Sequence, residues 1–445
     1  MNNSVKRLLA LVLTCAMLSV CALAADFTGR ADELYDLGLF KGTGTDAEGN
    51  PVYSLDAAPT RAEAVTMLVR LLGKEAEATE GEWEVPFTDL SGANAWALPY
   101  VGYAYENGLT NGEEATLFGT NNTCSAQMYC TLVLRALGYS DAEGGDFEYD
   151  DALTFAAEKG LLDAYLTQGT FLRDEVAAVS YSALVTPLKD SDKLLLDKLV
   201  EDGAVDAEAA QPLKDKAALY AEYCALAAKM NAQKDQSIDA DFNMSMTMTA
   251  AGVSIPMTME GSQQMRLTEN GDVVAAMTMK VTAMEQTQTV ETYIKDGVCY
   301  VNDGTSKIKT PAEGVNGLPL DSLAESTASP LYYFDSLSKA EAGGKVSYTM
   351  SMPGSLLTSL TQAVLSSMGQ TEDLSGISFG NTEMTMTFKN DTPESVIMSM
   401  PMSMTAEGQT IDVALSMEMT INAMGDKVSV ELPADLDTYV EAPAA

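Results

Sequence analysis

Thr60-Arg61-Ala62-Glu63-Ala64-Val65-Thr66-Met67-Leu68-Val69-Arg70-Leu71-Leu72-Gly73 reads as one apolar helix that starts at the Thr-Arg-Ala-Glu run and stops at a glycine. Ahead of it the chain reads as a shorter helix, Ala31 to Leu37, then Gly38-Leu39 and a loop from Thr43 to Ala58 with Asp46-Ala47-Glu48-Gly49-Asn50-Pro51 as its turn cluster. The plan of helix, Gly-Leu turn, loop and second helix recurs twice. It runs from Trp96 to Asn107, through Gly108-Leu109, to Ser125–Leu137, and again from Tyr149 to Lys159, through Gly160-Leu161, to Asp174–Leu184. Each glycine suits a helix C-terminus, where a left-handed backbone is needed. One helix pair of this size cannot bury its apolar face alone, so the three are expected to pack as one all-α unit spanning residues 26–206. Leu194-Leu195-Leu196, Leu199 and Gly203 read as its closing helix, and residues 207–236 as a helical linker rich in Ala, Lys and Glu, with Pro212 tolerable near its start.

At Ser237 the period changes from helical to two. Met244-Ser245-Met246-Thr247-Met248 alternates strictly, as do Met257-Thr258-Met259, Met277-Thr278-Met279, Met384-Thr385-Met386 and Met398-Ser399-Met400-Pro401-Met402-Ser403-Met404. Of the 26 methionines, 21 lie between 244 and 424, so this is a property of one domain. Alternation places Met on one face of a sheet and Ser/Thr on the other. Turn clusters at Glu269–Asp272, Lys295–Gly297, Asn302–Gly304, Ala342–Gly344, Lys389–Asp391 and Glu407-Gly408 separate the strands. Residues 237–436 are therefore expected to form a large curved antiparallel sheet, a half-barrel, followed by a tail over 437–445. Ser355 to Ser367 has helical spacing and is expected to cover the apolar face. The fold class is multidomain α + β.

The N-terminus reads as an export signal over residues 1–24. Lys6-Arg7 precede an apolar run from Leu8 to Leu23, and Ala22-Leu23-Ala24 fits a cleavage site. Lipidation at Cys21 is the alternative, although Val20 is bulkier than the small residue such sites usually need. No later apolar stretch is long enough to span a bilayer. The whole chain carries 26 basic and 64 acidic side chains. Without Lys6 and Arg7 the mature part has a net charge of −40, which repels nucleic acid and anionic membranes.

There is no histidine. That removes Ser-His and Cys-His nucleophilic sites and the usual histidine metal sites, and no metal or cofactor is expected. Four cysteines remain after the signal: Cys124, Cys130, Cys224 and Cys299. They are too few for a disulfide framework. Cys124 and Cys130 are about 9 Å apart along one helix, so free thiols are expected. A hydrolase built on paired carboxylates is the weakest reading, because no pattern selects two of the many acidic residues. The chain is read as non-enzymatic.

The Thr-Arg-Ala-Glu run, followed by Phe87-Thr88-Asp89, Trp96-Ala97, Tyr100-Val101, Gly108-Leu109 and Leu134-Arg135-Ala136-Leu137-Gly138, resembles the S-layer homology family. The resemblance covers roughly Ala31 to Val205. It implies a secreted cell-surface protein held non-covalently on a secondary cell-wall polymer, a pyruvylated glycan gripped in grooves between repeats. Carried over by motif, the polymer-binding residues would be Thr60, Arg61 and Glu63 in the first repeat and Arg173 and Glu175 in the third. The second repeat departs, with Ser125-Ala126-Gln127-Met128 and no arginine. A guanidinium suits a ketal carboxylate because it can hold both oxygens at once. Trp96 is expected in the core rather than as a sugar platform.

The strand order from Asp241 to Leu436, the hairpin from Glu291 to Asn302, Lys307-Ile308-Lys309 and the inserted helix resemble the LolA/LppX-type lipoprotein-carrier superfamily. That resemblance implies a curved sheet able to enclose an apolar or lipid ligand. The Met-x-Met runs themselves allow three readings: packed core, a soft face for an apolar ligand, or a thioether site for Cu(I). A sheet that serves only as a structural spacer or partner platform is the alternative to ligand carriage.

Overall fold

The computed structural model describes residues 26–163, 169–231, 237–250, 252–267, 273–284, 286–312, 330–358, 377–406 and 409–441. The segment read as an export signal, residues 1–24, lies outside them. The N-terminal part contains helices α1 (Thr28–Asp36), α2 (Arg61–Leu71), α3 (Glu75–Glu80), α4 (Leu98–Glu106), α5 (Ala126–Ala136), α6 (Ala152–Glu158), α7 (Arg173–Leu184) and α8 (Leu195–Glu201). Gly38, Gly108 and Gly160 end α1, α4 and α6 with φ near +70°, the left-handed step their positions suggested.

This part is not all-α. The first loop carries a two-stranded antiparallel hairpin, β1 (Gly44–Thr45) with β2 (Pro51–Val52). Its cause is Asp46, whose carboxylate accepts the N–H groups of Glu48 and Asn50 and the Asn50 side-chain amide, closing the turn that sets the two strands side by side. Trp96 is also not core. It is 48% exposed on a 3-10 turn, Gly92–Ala97, that points Ala97 inward instead. The other tryptophan, Trp83, is partly buried: it donates to the Ala78 carbonyl and meets Tyr103 edge-on, the ring centroids 5.4 Å apart.

Helix α9 (Ala207–Asn231) follows, with Pro212 in its early turns. The sheet then builds outward from its first strands: β3 (Ile238–Ala250), β4 (Val253–Leu267), β5 (Val273–Ala283), β6 (Gln286–Lys295), β7 (Val298–Asn302), β8 (Lys307–Pro311), β9 (Ser336–Ala342), β10 (Lys345–Met352), β11 (Ile377–Phe379), β12 (Thr382–Lys389), β13 (Thr392–Ala406), β14 (Gln409–Met424) and β15 (Val440–Glu441). The spatial order among the described residues is β15-β8-β7-β6-β5-β4-β3-β14-β13-β12-β10-β9, with β11 also on β13. The sheet is open rather than closed into a barrel. It is mixed rather than wholly antiparallel, because β15 runs parallel to β8. That last strand falls in the segment read as a tail. Tyr439 against Tyr300 and the Lys307–Asp435 ion pair bring the chain end back to this edge.

Alternation does what period two dictates. Met244, Met246, Met257, Met259, Met400 and Met402 are buried with Phe379, Val413 and Leu415 in one cluster. Each such side chain contributes roughly 1.5–3 kcal/mol by leaving water. A second cluster forms where α9 lays Tyr223 against Tyr348, Met350 and Phe388. Of the expected covering helix, residues 354–358 are helical and Leu356 is buried; the remainder lies outside the described residues.

Leu331, Tyr332, Tyr333 and Leu356 belong to the core of the helical part, not to the sheet's own clusters. Tyr332 packs edge-on against Phe27, and its hydroxyl accepts the N–H of Asp163 at 3.0 Å. The Tyr333 hydroxyl donates to the Asp163 carboxylate. Arg30 of α1 pairs with Glu33 and with Asp335, and donates to the Phe334 carbonyl. Lys216 of α9 joins the same group through Glu33 and the Asp335 carbonyl. Burial, then the neighbouring Arg30 charge, pull the Lys216 ammonium down to about 8.

Candidate functional site

The site starts at the N-terminus of α2. Thr60 caps the helix: its hydroxyl accepts the Glu63 N–H, and the Glu63 carboxylate accepts the Thr60 N–H at 2.7 Å. The next free donors of the first turn are satisfied from elsewhere in the chain. The Arg61 N–H donates to the Asn122 carbonyl at 2.8 Å and the Ala62 N–H to Thr120. Helix α7 starts the same way on a different partner, with the N–H groups of Arg173 and Asp174 donating to the carbonyls of Ala57 and Leu55. Each arginine-bearing helix start thus seats on the loop of another helix pair: α2 on the loop before α5, α7 on the loop before α2.

The two arginines match in detail. Arg61 donates from Nε to the Phe118 carbonyl at 3.0 Å and from Nη1 to the Met128 sulfur. Arg173 donates from Nε to the Tyr53 carbonyl at 2.9 Å and from Nη1 to the Met67 sulfur. They differ in access. The Arg61 side chain keeps 11% exposure, lies over the Phe118 ring and has Glu113, itself half-exposed, 3.4 Å from Nε. Its Nη2 reaches the Asn111 carbonyl. Arg173 is buried, and burial lowers its affinity for a proton. Glu175 is buried beside it in α7, accepts the Leu172 N–H, and is held above the usual carboxylate range by burial. The structure therefore leaves Thr60, Arg61 and Glu63 partly exposed at the start of α2 and places Arg173 and Glu175 in the interior.

The third helix start, at Ser125, has no arginine. Ser125 accepts the Met128 N–H as a cap, and Gln127 reaches the Tyr149 carbonyl. Met128 stands where Glu63 stands in α2, and it is this sulfur that Arg61 meets.

Asp89 is the residue whose role the motif did not reveal. Its carboxylate accepts the N–H groups of Phe118, Gly119 and Thr120 and the Thr120 hydroxyl, all between 2.8 and 2.9 Å. Burial pushes its carboxyl up, but the N–H groups of Thr120 and Phe118 outweigh that and hold it at about 2. Asp89 fixes the loop whose carbonyls receive Arg61. Gly119, at φ +80°, leaves the room in which the Glu113 carboxylate sits.

The sheet carries a separate cavity of about 430 Å³. Thr247, Thr249, Ser403 and Asp412 line it beside Phe379 and Met402. The described residues hold no group of three or more His, Cys, Asp or Glu placed for a metal ion, and no helix long and apolar enough to cross a membrane. The four cysteines among the described residues are free thiols, with Cys124, Cys130 and Cys299 buried.

Two family models match separate stretches of the chain. The S-layer homology domain model matches residues 86–125, the stretch that holds Asp89, Trp96 and the Arg61-binding loop. A family of unknown function, DUF6612, matches residues 225–437, the sheet with the end of α9. A cell surface protein of Thermoanaerobacter kivui is 30% identical over 217 residues, 48% of this chain and 26% of that protein. A middle cell wall protein of Brevibacillus brevis is 30% identical over 121 residues, 27% of this chain and 11% of that protein. The chain thus spans about a quarter of the first relative's length and about a tenth of the second's. Among solved structures, LprF from Mycobacterium bovis is 12% identical with a TM-score of 0.24, over 48% of this chain and 97% of that one. A putative outer membrane lipoprotein-sorting protein domain from Vibrio parahaemolyticus is 10% identical with a TM-score of 0.18, over 48% and 96%. At these values the structural likeness is slight. The S-layer homology resemblance read from the motifs holds: the chain carries an S-layer homology domain.

Proposed function

We propose that the chain is a non-enzymatic cell-surface protein, held on the secondary cell-wall polymer by three S-layer homology repeats, which presents its Met-rich sheet outward as a spacer or partner platform. One observation carries the reading. The matched segment 86–125 builds, through Asp89, the loop that receives Arg61, so the motif arginine seats on the matched segment. In this reading Arg61 is the residue that touches the polymer. A ketal carboxylate takes the place of Glu113 beside the guanidinium, exchanging one ion pair for another at a half-exposed position. Thr60 and Glu63 position the helix start. Arg173 and Glu175, seated in the interior, position the corresponding start of α7. The surface and wall names of the two relatives support the location.

The test is retention of the full secreted chain on purified cell-wall sacculi. Arg61→Ala and Arg61→Lys are compared with wild type after each is shown to be folded by circular dichroism. Retention of wild type, lost in Arg61→Ala and weakened in Arg61→Lys, is expected, because Lys keeps the charge and loses the two-pronged grip. Sacculi that fail to hold the wild-type chain would overturn the anchoring reading.

A further inference from the structure

Six methionines stand abreast across six neighbouring strands. The register pairs Met259 with Met244, Met244 with Met417, Met417 with Met398, Met398 with Met384, and Met384 with Met350. The ends of this row are buried, Met259 and Met244 under the Phe379 cluster and Met350 under α9. Its middle is not: Met417, Met398 and Met384 are half-buried. One step along the strands, Met419 and Met386 are half-buried as well, separated only by Val396. The seam between the two packed clusters is thus a partly accessible patch of five thioethers on three consecutive strands.

We propose that Met384, Met386, Met398, Met417 and Met419 form a soft-metal site for Cu(I). Thioether sulfur is a soft ligand that prefers Cu(I) to hard divalent ions. Side chains opposite each other on neighbouring strands start about 4.5–5.5 Å apart at Cβ, and Met has three side-chain torsions with which to bring its sulfur onto a shared ion. The acidic neighbours Glu383 and Glu418 alternate with these residues and so lie on the other face, which leaves no hard ligand in the set. A seam needing only apolar filling would be better served by Leu or Ile, whose rotamers are better defined. The net negative charge of the chain raises the local concentration of any cation.

A thioether has no proton to lose, so Cu(I) affinity at this site is independent of pH between about 5 and 8. A cysteine site behaves oppositely. Burial pushes the Cys124 thiol up to about 12 and raises Cys299, so metal binding there would weaken steeply in acid.

The experiment is anaerobic titration of the full secreted chain with Cu(I), supplied as its acetonitrile complex, against the chromophoric chelator bathocuproine disulfonate. It compares wild type with Met398→Leu/Met417→Leu and with Met246→Leu/Met400→Leu in the fully buried row, all of near-conserved volume. Wild type is expected to withdraw about one Cu(I) per chain, with an affinity flat from pH 5 to 8 and no matching uptake of Zn²⁺. Met398→Leu/Met417→Leu is expected to weaken binding about tenfold or more, and Met246→Leu/Met400→Leu to leave it unchanged. Should the first double variant not fold, single Met398→Leu is read in its place. No uptake by wild type, equal uptake by Met398→Leu/Met417→Leu, or a steep loss in acid would each overturn the proposal.

Discussion

Asp89 and Arg61 never touch, yet both hold Phe118: the Asp89 carboxylate accepts its N–H at 2.8 Å and Arg61 Nε donates to its carbonyl at 3.0 Å. The two peptide groups that flank the Phe118 Cα are thus held by opposite charges, one on each side. Asp89→Ala should therefore lower stability by roughly 2–4 kcal/mol, since several charge-assisted hydrogen bonds go at once and leave backbone donors unpaired. Urea unfolding measures it. The acid limb carries a further signature. The folded carboxyl sits at about 2 against an ordinary value of 3.8, so its stabilisation is complete above the ordinary value and is lost as pH falls towards 2. Asp89→Asn should show less of that acid loss than wild type.

Asp174 works in the opposite direction. It is buried at the start of α7, accepts the Phe27 N–H at 2.9 Å, and burial raises its carboxyl to about 8. Between the ordinary value of 3.8 and about 8 the folded state holds a proton that the unfolded chain has released, so this group makes stability fall as pH rises. Asp174→Asn keeps an acceptor for Phe27 and removes the titration. The melting temperature of the variant should decline less than that of wild type between pH 5 and 8, and equal slopes would show that Asp174 stays ionised.

Trp96 offers a test of binding free of stability effects. Its ring is exposed, inside the segment matched by the S-layer homology model. Trp96→Ala should leave the melting temperature within about 1 °C of wild type, as exposed substitutions do. If the ring stacks on the polymer, sacculus retention of the variant should fall.

The seam between the halves should make unfolding cooperative. Tyr332 and Tyr333 are buried against Phe27 and Asp163. Tyr332→Ala is expected to cost about 3–5 kcal/mol, the range for deleting a large buried ring. Calorimetry should show a single transition in wild type and two in Tyr332→Ala, because the sheet then melts apart from the helices.

The period-two methionine runs made the sheet legible, because alternation states both the strand and its buried face. The helix pairs were equally plain from apolar spacing closed by glycine. What stayed hidden depends on residues far apart in the chain. Arg30 and Asp335 are 305 positions apart, and nothing near either announces the other. The hairpin at Asp46 hid inside a turn cluster that was recognised as a turn but not as strand pairing. Trp96 was misplaced because an aromatic beside a helix start is ordinarily core, and the short 3-10 turn that faces it outward leaves no periodic trace. The motif singled out both arginines, but only packing tells partly exposed Arg61 from buried Arg173.

The segment 330–335 seats on the helices while α9 runs beside the sheet's β9 edge, so the halves are joined twice, once along the chain and once by contact. A single proteolytic cut within α9 would leave the sheet still gripped by Arg30, Phe27 and Asp163. A load pulling the sheet away from the helices would likewise divide between a covalent tether and a non-covalent latch, and separation would require both to fail.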